Sequence, residues 1–166
     1  MNSISMYLAA FMVVISLISC GGPKPSDVGA LYSEGSRLYA QKDYAGALAE
    51  FDKAISANPK DAKGWFFKGN ALTSLGRKED ALMAYDESSR LDPGHSQPLY
   101  NKGTILMQLG RYNEAVTAFE NAVKLDKKPN YLYNLGTALD KAGRHEEAVS
   151  AFNEASRIEH EAKPQR

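Results

Sequence analysis

Residues 99–126 read LYNKGTILMQLGRYNEAVTAFENAVKLD, and this stretch restricts the fold more tightly than any other because it returns along the chain at a nearly fixed interval. Gly103, Ala115, Phe119 and Ala122 have counterparts 34 residues earlier in Gly69, Ala81, Tyr85 and Ser88, and 34 before those in Gly35, Ala47, Phe51 and Ala54. The series continues 33 residues later in Gly136, Ala148, Phe152 and Ala155. A unit this short cannot bury an apolar face alone, so four copies predict a solenoid in which neighbours complete one another's core. Each copy divides at a turn into two amphipathic halves. The result is an all-α fold of eight antiparallel helices, expected near 28–41, 44–57, 62–75, 78–91, 96–109, 112–125, 129–142 and 145–159.

The punctuation agrees with these bounds. Gly76, Gly110 and Gly143 follow first helices, where a left-handed end is easiest for glycine, and Lys42 takes that place in the first copy. Pro98 and Pro129 fall within opening turns, where a missing N–H costs little. The fourth copy arrives one residue early, so Lys127-Lys128-Pro129 is expected to form a tighter joint.

Within each first helix a bulky residue is followed four places on by Gly and three later by another bulky residue: Leu31, Gly35, Leu38; Trp65, Gly69, Leu72; Leu99, Gly103, Leu106; Leu132, Gly136, Leu139. Each second helix carries Ala, an aromatic four places on and a small residue three later, and Pro59 and Pro93 close the first two copies. Small residues at fixed places permit close helix approach, and the aromatics fill the space between. This pattern resembles the tetratricopeptide repeat over about 135 residues, and the resemblance implies an α-solenoid that binds protein or peptide segments along the groove of its first helices.

The chain has 20 Lys and Arg and 20 Asp and Glu, all after Cys20, so its net charge is zero and nothing points to a nucleic-acid partner. Residues 1–19 carry no charge, and residues 7–18 form an almost unbroken apolar run. As a helix that run spans under ~20 Å, short of the ~30 Å hydrocarbon core, as expected for a signal-peptide core. It ends in Leu17-Ile18-Ser19-Cys20-Gly21, which resembles the lipobox of bacterial lipoproteins. The resemblance implies cleavage before Cys20, a diacylglyceryl group on its thiol and acylation of the new amino end. Gly21, rather than Asp, implies an outer-membrane destination facing the periplasm in a host that has one. An uncleaved signal anchor is the other reading, since MNSISMY has no Lys or Arg where such signals carry one. The expected organisation is a lipoprotein signal peptide over 1–19, a Gly/Pro linker over 20–27, a four-repeat domain over 28–162 and a tail over 163–166. Lipoproteins of similar architecture serve in secretin delivery and outer-membrane protein assembly.

No Walker-type phosphate loop, nucleophile elbow or His-Glu-x-x-His occurs, no cofactor is implied, and His95, His145 and His160 lack metal-site spacing. We therefore expect an interaction protein rather than an enzyme. Candidate groove residues lie on the first helices: Tyr32, Phe66, Tyr100 and Tyr133, one place after each bulky residue, together with Asn70, Asn101, Asn134 and Tyr39. Side-chain amides suit a peptide backbone because they both donate and accept, while the same rings and amides also suit packing between repeats. A carboxylate clamp of the kind some family members use is not expected, because Phe66, Asn130 and Asn134 stand where its cations belong. After Ile158 only EHEAKPQR remains, so the last helix is expected to leave a flank near Phe152, Ala155 and Ile158 open to water. That edge is the expected place for weak self-association.

Overall fold

The computed structural model describes residues 27–161. The expected signal peptide, Cys20, the linker up to residue 26, the last residue (162) of the expected domain and the tail over 163–166 lie outside the described residues. Eight helices follow in order: α1 (Val28–Ala40), α2 (Tyr44–Ala57), α3 (Ala62–Ser74), α4 (Lys78–Leu91), α5 (Ser96–Gln108), α6 (Tyr112–Leu125), α7 (Pro129–Lys141) and α8 (His145–Glu161). No strand occurs among the described residues. Each helix packs against its neighbours in the chain, so the repeats stack as the period requires.

The repeated residues hold each helix pair together. A Cβ placed on Gly35, Gly69, Gly103 or Gly136 would lie 2.5–2.7 Å from a ring carbon of Phe51, Tyr85, Phe119 or Phe152 respectively, so each ring lies flush against bare backbone. Ala47, Ala81 and Ala115 are fully buried, as are Ala54, Ala122 and Ala155. Ser88 takes the last of these places in the second repeat, and its hydroxyl satisfies itself by donating to the Ala62 carbonyl at 2.9 Å.

First helices end one residue earlier than expected because the chain leaves each through the same left-handed turn. Lys42, Gly76, Gly110 and Gly143 have φ of 64°, 75°, 72° and 79°. The following N–H then reaches back to the carbonyl of the second bulky residue: Asp43 to Leu38, Arg77 to Leu72, Arg111 to Leu106 and Arg144 to Leu139, at 2.9–3.0 Å. The joint before α7 is shorter by one residue than the two before it, and Lys127 crosses it to pair with Glu154 on α8 at 2.5 Å.

The two ends of the solenoid differ. Position for position, Ala71, Ile105 and Ala138 are at most 1% exposed beneath the preceding repeat, and α1 has Arg37 there, ion-paired with Glu34 and open to water. At the other end Val149 is 57% exposed, whereas its equivalents Leu82 and Val116 are 7% and 1% exposed. The open flank of α8 therefore centres on Val149. Phe152 and Ile158 are half-buried, and Ala155, expected to be open, is fully buried. Ala155 is as deeply buried in the terminal repeat as its counterparts are in internal ones, so its own first helix covers it.

Candidate protein-interaction groove

Side chains from α1, α3 and α5 share one open cavity of about 280 Å³. Tyr39 comes from α1, Asn70 and Thr73 from α3, and Tyr100, Asn101, Thr104 and Ile105 from α5, with Tyr85 of α4 reaching between them. Three of the four first helices thus line a common face, and α7 contributes no residue to this cavity. A smaller recess of about 130 Å³ adjoins it, where Ser36 and Phe67 join Tyr39 and Asn70.

Of the four expected rings, Tyr100 lines the shared cavity and Phe66 a separate recess at the start of α3, whereas Tyr32 and Tyr133 line neither. Tyr32 is only 9% exposed; its hydroxyl donates to Asp61 at 2.8 Å and its ring meets Phe67 edge-on. Burial, aided by the Asp61 carboxylate, pushes the Tyr32 pKa far up and keeps the phenol neutral. Phe66 lies between Tyr85, Phe67 and the His95 ring. Tyr100 stacks on Tyr131 of the next repeat, with centroids 4.4 Å apart and planes 16° apart, and also touches Phe119. Tyr133 lies against Phe152, with its hydroxyl 3.3 Å from Ser156. Phe66, Tyr100 and Tyr133 are half-buried; Phe66 and Tyr100 reach residues at the joint to the next repeat, whereas Tyr133 packs within its own repeat.

The expected amides form a ladder across repeats. Asn70 Oδ1 accepts from the Tyr85 hydroxyl at 2.7 Å and from Asn101 Nδ2 at 3.0 Å. Asn101 Oδ1 in turn accepts from Gln97, whose own Oε1 accepts from the Tyr131 hydroxyl. Asn134 Nδ2 donates to the Tyr100 hydroxyl at 2.6 Å, and the Tyr39 hydroxyl shares a hydrogen bond of 2.8 Å with Ser74. Asn101 is therefore committed to its neighbours at both ends of its amide. Asn70 keeps its Nδ2, and Asn134 its Oδ1, without a hydrogen-bond partner among the described residues.

Several participants escaped the reading of the sequence, Thr73, Thr104, Ile105, Gln97 and Tyr131 among them. Thr104 belongs to a periodic set, Ser36, Asn70, Thr104 and Thr137, each one place after the repeated Gly and each small and polar, so the period alone could have flagged it. Gln97 and Tyr131 break the period: Tyr131 stands where Gly64 and Pro98 stand in other copies. Only the stacked geometry reveals what they do.

Comparison with known proteins fits this geometry. The tetratricopeptide repeat profile matches residues 32–96 and 100–165, most of the chain. No curated protein sequence matches. Among solved structures, one of MamA superposes with a TM-score of 0.78 at 20% identity, covering 82% of this chain and 81% of that one. A second, MamA from Desulfovibrio magneticus RS-1, gives 0.74 at 22% identity over 80% of this chain and 75% of that one. YrrB, described as a TPR protein with an unusual peptide-binding site, gives 0.70 at 22% identity over 82% and 71%. At these identities the likeness is one of fold, and it joins the repeated glycine-on-ring contacts and the profile match to one conclusion: the chain belongs to the tetratricopeptide repeat family.

Proposed function

We propose that this protein is an extracytoplasmic adaptor, tethered to a membrane face by lipid on Cys20, that holds a segment of a partner protein along its first helices. The observation that carries the reading is the open cavity shared by α1, α3 and α5, floored by rings and amides already fixed by their neighbours. A preorganised floor loses little side-chain freedom when a ligand arrives, which favours binding. The lipobox-like Leu17-Ile18-Ser19-Cys20 and the short Gly/Pro linker after it support the tether, and an envelope assembly or secretion complex is the setting such lipoproteins suggest.

The groove is tested by capturing a partner from the native envelope with the parent and with Thr104→Arg, once both are shown to melt alike. Loss of the partner is expected, and undiminished affinity in a folded variant would remove the groove from consideration. The tether has a separate test. One acyl chain binds membranes marginally, so stable anchoring needs at least two, which an acylated Cys20 supplies. Cys20→Ala is expected to block processing, and a parent that is itself never processed, with the variant held in the membrane fraction just as firmly, would favour an uncleaved signal anchor.

A second reading rests on Val149. Its exposure, where Leu82 and Val116 are covered, offers a surface for a second copy at the α8 edge. Sedimentation at rising concentration distinguishes the two readings, since association that Val149→Lys abolishes would favour this one.

A further inference from the structure

The central groove cavity has no charged lining residue, although 40 of the chain's 166 residues carry charge. The adjoining recess at Ser36 and Phe67 is likewise free of charged residues, whereas two recesses elsewhere on the molecule have them. The one beside Trp65 has Asp52, Lys68, Arg77 and Asp80 in its walls, and the one at the start of α3 has Asp61, Lys63 and Asp92. Lys63 lies over the Tyr32 and Phe67 rings at 5.1 and 5.6 Å and Lys128 over Tyr131 at 5.2 Å, and neither lines the central cavity. Burial pushes the Tyr85 pKa up, so this ring also stays neutral.

The free hydrogen-bonding capacity of the floor is mixed. Asn70 Nδ2 is an unused donor. The Thr104 hydroxyl donates to the Tyr100 carbonyl at 3.1 Å, which leaves its oxygen able only to accept. A free donor and a free acceptor lining one cavity suit the C=O and N–H of a peptide backbone. A charged side chain entering the same space would shed water and meet no counter-ion, which is a penalty against charged sequences.

We infer that the groove selects a peptide segment whose contacting side chains are uncharged, reading its backbone through Asn70 and Thr104 and excluding Asp, Glu, Lys and Arg from the central cavity. This rests on the groove being the binding site, and the following experiment separates the two claims. The full chain, immobilised in detergent, is panned against phage-displayed random dodecapeptides beside Asn70→Asp and Thr104→Lys variants of matched thermal stability. Asn70→Asp keeps an acceptor for Tyr85 and Asn101 while replacing the free donor by an anionic oxygen, so the ladder survives while the floor loses that donor and gains a charge.

Peptides enriched on the parent are expected to be depleted in charged residues over the contacting stretch. They should bind Asn70→Asp at least about tenfold more weakly, and that variant should enrich Lys or Arg instead. Enriched peptides that depend on Asn70 yet carry a fixed charge on the contacting stretch would overturn the inference while leaving the groove as the site. Enriched peptides that bind both variants as well as the parent, or no enrichment over a blank surface, would overturn both claims.

Discussion

At the scale of single residues the molecule rests on four glycines, each with a ring against it. A methyl group at Gly103 would stand 2.7 Å from Cε1 of Phe119, and a ring enclosed between two helices has no rotamer that clears it. Gly103→Ala should therefore gain helix propensity and still lose stability, by about 1–3 kcal/mol of overpacking. Thermal denaturation checks this; a variant melting with the parent would mean that α5 and α6 separate freely. Lys42 has the opposite expectation. It holds a left-handed turn at φ 64° that its three counterparts give to glycine, so Lys42→Gly should stabilise by about 1 kcal/mol and raise the melting temperature by a few degrees. Both arguments were open to sequence reading, because a period that repeats Gly and a ring at fixed spacing already states a contact. The amides were different. Asn70, Asn101 and Asn134 were identifiable as first-helix residues, but whether an amide turns to solvent or to its neighbour depends on stacking angle. The bond from Asn101 to Asn70 exists only once two repeats are superposed.

At the scale of elements, turn chemistry set the helix bounds and one shortened joint makes the regular array irregular. The connection before α7 brings Lys127 to Glu154, which also receives Arg157 from its own helix at 2.7 Å. Hydrogen bonds from Arg157, then from Lys127, hold the Glu154 carboxyl down to about 2 from its ordinary 4.5. A carboxyl depressed in the folded state contributes stability that is complete above the unfolded value near 4.5. That contribution fades as pH falls through the folded value near 2. Following the Glu154 side-chain carboxyl by NMR through an acid titration should give a midpoint well below 4.5, and Lys127→Ala should move it upward. A parent midpoint at the ordinary value would mean that the joint is not closed by this pair in solution. The missing residue was visible in the period; the ion pair was not, since Lys127 and Glu154 lie on different elements and nothing local links them.

Across the whole molecule, stability passes from repeat to repeat, because helices touch mainly their chain neighbours and no central core ties the ends together. Each joint carries its own fastening: Tyr32 to Asp61 and Tyr39 to Ser74 at the first, Asn101 to Asn70 at the second, and Tyr100 on Tyr131 at the third. The ends are fastened unequally. Arg37 and Glu34 give α1 a polar outer face suited to water, whereas α8 shows Val149 and has no later repeat among the described residues to cover it. In such a stack the free energy of opening grows with the number of covered faces, so α8 should open alone, before the repeats within. Native-state hydrogen exchange tests this directly. Amides of α8 should exchange through a partial opening of low free energy, and those of α4 to α6, with joints on both sides, only on near-global unfolding. Uniform protection from α1 to α8 would show that the four repeats unfold as one unit and that the exposed flank of α8 costs the fold nothing.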